Sequence, residues 1–132
     1  MINTNTNTPV ATRFRHKAQL LLCDGCCCGK TALGHAEVPV AFLQLEWTRR
    51  KLVKDLHLTP CDCLGPCDAA NVACVLSADS AAWFGGLTSR DDYAALLDWT
   101  EQLITTGEPG ALPERLRGKR LERFTDAAEQ HD

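Results

Sequence analysis

The cysteines constrain this chain more than any other feature. Seven of the eight fall in two short runs, Cys23-Asp24-Gly25-Cys26-Cys27-Cys28 and Cys61-Asp62-Cys63-Leu64-Gly65-Pro66-Cys67, and Cys74 follows soon after. A disulfide framework spreads its half-cystines more evenly and belongs to an oxidising compartment. Met1 to Thr12 is rich in Asn and Thr and lacks the charged region and apolar run of an export signal. The expectation is a cytoplasmic chain whose thiols stay reduced or bind metal. The strongly apolar run Leu20 to Leu22 falls far short of the roughly 20 residues that cross a bilayer, so no membrane partner is expected. A net charge of -3 and a pI near 5.8 supply no basic field for nucleic acid.

A length of 132 residues and 45% hydrophobic content suit one domain with one core. Residues 1–15 read as a polar tail, 16–107 as the folded domain and 108–132 as a charged extension. Gln19 to Leu22 is short, apolar and bounded by Cys23-Asp24-Gly25, which predicts a buried strand. Between Val38 and Leu56 the apolar residues Val38, Ala41, Phe42, Leu45, Leu52 and Val53 recur at helical spacing, with Pro39 tolerated in a first turn. Leu56 and Leu58 alternate with His57 and Thr59, a strand period. Val72 to Leu76 and Ala82 to Phe84 predict a hairpin turning through Ser77-Ala78-Asp79-Ser80. Ser89 then caps a helix whose face is Tyr93, Leu96, Leu97, Thr100, Leu103 and Ile104, stopping before Gly107. The order is βαβ then ββα: an α/β fold with a mixed four-stranded sheet flanked by helices, its crossover right-handed. In the extension, Leu112, Leu116, Leu121 and Phe124 among many charges predict a loosely packed or mobile helix.

Each cysteine run follows a strand, so a βαβ unit brings both to the same sheet edge. An iron-sulfur cluster needs thiolates converging from more than one loop, because each iron takes tetrahedral soft ligands. Gly65 lets the second loop turn tightly and Pro66 limits its freedom. Asp24, Asp62 and Asp68 would bias the potential of a bound cluster downward.

Cys23-x4-Cys28 at a strand end followed by Cys63-Leu64-Gly65-Pro66-Cys67 resembles the thioredoxin-like 2Fe-2S ferredoxin family, whose layout the small iron-sulfur subunit of respiratory complex I shares. The resemblance covers roughly residues 17 to 105, and the order of elements is the thioredoxin one. It implies a 2Fe-2S cluster held by Cys23, Cys28, Cys63 and Cys67. It also implies an electron carrier that is no enzyme itself, redox partners in the form of a reductase and an acceptor, a homodimer, and a link to cobalt or corrin reduction in cobalamin synthesis. The first loop departs from the pattern. Three consecutive cysteines leave the second ligand open among Cys26, Cys27 and Cys28, and longer-loop relatives would place it near His35 or Ala36.

Cys74 reads as a small buried hydrophobe, while Cys26, Cys27 and Cys61 lie beside the ligand candidates as substitutes or spacers. Lys30 reads as a solvated lysine, Trp47, Trp83 and Trp99 as core, and Arg115 to Arg123 as a solvated basic run interleaved with Glu122. Two rival functions remain. One is a thiol-disulfide oxidoreductase using Cys23 and Cys26, against which Gly29, Gly34 and Pro39 delay the helix that such a pair should open. The other is a zinc or other metal-binding module, which four cysteines would equally satisfy.

Overall fold

Leu20 and Leu22, both without solvent exposure, anchor strand β1 (Ala18–Cys23) at the centre of the molecule. In the computed structural model, which describes residues 8–25 and 27–125, β1 pairs in parallel with β2 (Leu56–Cys61). On its other side it pairs antiparallel with β3 (Ala73–Ser77). A strand bonded on both edges and covered by helices needs apolar residues with little alternation, which is what Ala18 to Cys23 supplies. The parallel pairing requires a crossover, and α1 (Val40–Arg49) lies within it. β3 turns through Ser77 and Ser80 into β4 (Ala81–Phe84) as expected.

Helix α2 (Arg90–Thr106) carries its cap on Ser89, whose hydroxyl accepts from the Asp92 N–H at 3.2 Å. It ends at Gly107, in the left-handed region at φ 82°. Its apolar face is buried along its whole length, against β1 and α1. The first helix departs more from expectation. Only Leu43 of α1 is buried and Leu45 is 65% exposed. The helix stops at Arg49, so Leu52 reaches the core from the following turn. The Trp47 indole N–H donates to the Leu56 carbonyl at 2.8 Å and fixes that turn against β2.

Among the described residues the sheet has five strands instead of four, in the order β2-β1-β3-β4-β5. The fifth, β5 (Arg120–Leu121), comes from the charged extension and pairs antiparallel with β4. Two residues are too few to show a period in the sequence, and tertiary anchors place them. Leu116 is fully buried in the main core, the Gly85 N–H donates to the Lys119 carbonyl at 2.8 Å, and Lys119 Nζ donates to the Gly86 carbonyl at 2.6 Å. In place of the expected loose helix there is one turn of 3-10 helix, Glu114–Leu116, packed on α2. Among the described residues no helix is long and apolar enough to cross a membrane.

Asp92 ties this segment to α2. Its carboxylate accepts from the Thr88 N–H at 2.8 Å, the Thr88 hydroxyl at 3.1 Å and Arg115 at 3.2 Å, with Lys119 at 3.7 Å. Burial pushes the carboxyl pKa up, but the Thr88 donors and the two cations outweigh it and hold the group below the usual aspartate value. A depressed folded-state pKa contributes stability that is complete above the ordinary aspartate pKa and is lost as pH falls through the folded value. Urea unfolding across an acid pH series is therefore expected to show the wild type losing stability faster than Asp92→Asn. Parallel pH profiles would contradict this.

Candidate metal centre

The ends of β1 and β2 build the site. Cys23 and Cys61 face each other in the parallel register, so both cysteine loops leave the sheet side by side. Gly25 lies so close to the second loop that a Cβ there would stand 3.0 Å from the Asp62 carbonyl oxygen. A side chain would force the loops apart. The first loop then folds back, with the Gly25 N–H donating to the Cys28 carbonyl at 3.1 Å. Buried Asn71 braces it from β3's side: its amide oxygen accepts from the Gly29 N–H at 2.9 Å and its amide nitrogen donates to the Ala36 carbonyl at 2.7 Å.

This path brings Cys28 to Cys23. Both are buried and share a small apolar cluster with Val72, flanked by Leu64, Ala69, Ala70 and Trp83. The Cys28 Sγ accepts from the Val72 N–H at 3.3 Å, and the Cys23 thiol lies beside Cys28 and the Leu64 N–H. Cys63 and Cys67 form a second pair, Sγ to Sγ 3.4 Å, across the bend at Gly65. Gly65 has φ 118°, a conformation that L side chains rarely adopt. The Cys23 thiol also donates to the Asp62 carbonyl at 3.3 Å. The four sulfurs thus stand as two pairs, one buried and one nearer the surface with Cys63 exposed. Among the described residues no three His, Cys, Asp or Glu side chains converge as the ligands of a single ion.

Burial, with the neighbouring Cys28 thiol and the charges of Cys28 and Cys63, pushes the Cys23 pKa up to about 12 against the opposing Leu64 N–H. Burial that raises the cost of the Cys23 thiolate favours a cation beside that sulfur to hold it deprotonated.

The other candidates fall around this centre. The Cys61 thiol donates to the Leu22 carbonyl at 3.4 Å, and burial followed by the nearby Cys23, Asp62 and Cys63 raises its pKa. Cys74 is fully buried in β3, where burial pushes it up to about 11. Cys27 is half-buried and its carbonyl bonds with the His35 ring Nδ1, so His35 closes the first loop through the backbone. Cys26 lies outside the described residues. Lys30 is exposed. Among the described residues no α-helix begins between Cys23 and Val40, whereas a dithiol catalytic pair would open one.

Three residues of the site carry no motif. Trp83 packs on the cluster of Cys23, Cys28 and Val72 with its indole N–H buried and, among the described residues, without a hydrogen-bond partner. The Tyr93 hydroxyl is likewise buried, beside the Asn71 side chain and within the field of Cys28, Asp24 and Cys23. Arg123 Nε is, like the Trp83 N–H, buried and without a hydrogen-bond partner among the described residues, on a guanidinium stacked over Trp83 at 5.0 Å. Each reads in the sequence as core, helix face or solvated charge, and only the assembled fold brings them to the thiols. Unsatisfied buried donors demand an acceptor-rich occupant, since each otherwise costs about 1–3 kcal/mol.

No protein-family model matches the chain, and no curated protein matches it. Solved structures do. The wild-type thioredoxin-like 2Fe-2S ferredoxin from Aquifex aeolicus is 20% identical, with a TM-score of 0.51 over 83% of this chain and 100% of that one. Two cysteine-to-serine variants of the same ferredoxin are 21% identical, with TM-scores of 0.50 over 80% of this chain and 99% of theirs. This chain has the thioredoxin-like ferredoxin fold. Within that fold the strand order β2-β1-β3-β4 is the part that carries both cysteine loops, and the expected α/β class holds. The fifth strand of this thioredoxin-like ferredoxin fold lies on the far side of β4 from β1.

Proposed function

We propose that this chain is a small electron carrier holding one 2Fe-2S cluster through Cys23, Cys28, Cys63 and Cys67. The observation that carries the reading is the grouping of four thiols as two pairs at one sheet edge, with the buried donors of Trp83 and Arg123, unpartnered among the described residues, beside them. A tetrahedral metal with sulfur ligands at ~2.3 Å sets them about 3.8 Å apart, so the 3.4 Å pair fits one ion with a small opening. Two such pairs fit a dinuclear centre, one pair to each iron. A single zinc would require the buried and the outer pair to merge, against the brace that Asn71 puts on the first loop.

When bound, the cluster supplies one-electron exchange. The chain's own groups do the rest. The Val72 N–H at the Cys28 sulfur and the Leu64 N–H at Cys23 stabilise anionic sulfur. The apolar wall of Val72, Leu64, Ala70 and Trp83 keeps water from the inner pair. Cys63, exposed, gives the centre its outer edge toward a reductase and an acceptor protein. The chain is a carrier with no substrate of its own. The family resemblance adds a cytoplasmic location, a homodimer and an acceptor in cobalt or corrin reduction for cobalamin synthesis. Iron, acid-labile sulfide and zinc analysis of protein purified without oxygen tests the reading. About two irons and two sulfides per chain are expected. Stoichiometric zinc with no sulfide would replace the reading with a structural metal module.

A further inference from the structure

Arg123 follows β5 and reaches back across the sheet edge. A Cβ on Gly65 would stand 2.6 Å from its Nη2, so the guanidinium lies against the bend between Cys63 and Cys67. Its Cζ stands 5.0 Å from the Trp83 ring centre and 4.8 Å from that of Phe124. Trp83, beneath it, packs on the buried cluster of Cys23, Cys28 and Val72. Among the described residues Arg123 has no carboxylate partner, and its Nε is buried and unsatisfied. A permanent cation held against a cysteine loop, with no carboxylate beside it among the described residues, favours an anion there.

On the electron-carrier reading above, that anion is the thiolate-ligated cluster, whose negative charge grows by one on reduction. We propose that Arg123 sets the reduction potential of the centre: its charge stabilises the reduced state more than the oxidised one and raises the potential. It opposes the acidic bias of Asp24, Asp62 and Asp68. The extension after Gly107 thereby has a functional role, since β5 and the buried Leu116 fix the place from which Arg123 reaches the loop. The aromatic faces of Trp83 and Phe124 hold the guanidinium plane without neutralising it.

The experiment loads wild type, Arg123→Gln and Arg123→Lys with iron and sulfide and titrates each potentiometrically, recording visible spectra and thermal unfolding alongside. Arg123→Gln is expected to keep the wild-type spectrum while its one-electron equilibrium shifts at least tenfold toward the oxidised form, about 59 mV lower. Arg123→Lys, which keeps the charge, is expected to recover most of that shift. Should the glutamine variant fail to fold, Arg123→Met, which keeps the packing stem, carries the same expectation. Equal potentials in all the loaded proteins overturn the proposal and leave the carrier reading intact. So does an equal fall in the lysine and glutamine variants, because charge would then not be the cause. Wild type that takes up no cluster overturns the carrier reading and this proposal with it.

Discussion

Serine in place of Cys28 is expected to abolish stable cluster assembly, while serine in place of Cys74 leaves it intact. The two residues look alike by exposure, both being almost fully buried, and they differ in what surrounds the sulfur. Cys28 meets the Cys23 thiol and accepts the Val72 N–H, within the loop that returns at Gly25. Cys74 stands inside β3 opposite Trp83 and Leu21. A hydroxyl is a harder and poorer ligand than a thiolate. The loss should exceed the ~10–100-fold that removing even an outer partner of a metal site costs. Iron and sulfide bound per chain after anaerobic reconstitution measures it. A Cys28→Ser protein with wild-type iron content would move the second ligand to Cys26, Cys27 or another donor. The same assay on Cys23→Ser and Cys63→Ser separates the inner pair from the outer one.

Leu116→Ala is expected to destabilise the fold by about 2–5 kcal/mol, the range for emptying a leucine site in a packed core. Leu116 lies at the end of a single 3-10 turn, yet it has no exposed surface and belongs to the same core as Leu20, Leu96 and Phe84. Its removal leaves a void between α2 and the sheet. It also loosens the anchor of β5, whose register places Leu121 opposite Trp83. Urea unfolding with an unchanged m-value checks it. A change below about 1 kcal/mol would mean that the segment after Gly107 is an appendage and that 16–107 alone holds the core.

The elements legible in the sequence are those with a long period or a defined stop. α2 has seventeen residues, a Ser89 cap and a Gly107 terminator, and its buried face follows the apolar pattern residue by residue. The hairpin of β3 and β4 and the two strands that end in cysteine were equally plain, because turn residues bound them. α1 was legible as a helix, but not where it stops. Leu52 and Val53 keep the apolar spacing, whereas the chain turns through Lys51 at φ 58° and leaves Val53 exposed. β5 carries no pattern at all, being held by backbone bonds to Gly85 and by Leu116. In the site, spacing alone picked out the cysteine loops, and it could not choose among the three adjacent thiols. What brings Cys28 beside Cys23 is how Gly25 turns the loop under the Asp62 carbonyl and the brace of the Asn71 amide, 42 residues from Gly29 in sequence, and neither shows in the spacing. Trp83, Tyr93 and Arg123 were hidden because a donor that only the fold brings to the cysteine loops reads locally like any core aromatic or surface charge.

The central claim, that the two sulfur pairs hold one dinuclear cluster, is tested most directly by the visible absorption spectrum of protein purified without oxygen, taken before and after dithionite. A red-brown protein whose absorption bleaches on reduction and returns on reoxidation is the predicted result. Protein that stays colourless after reconstitution with iron and sulfide would contradict it.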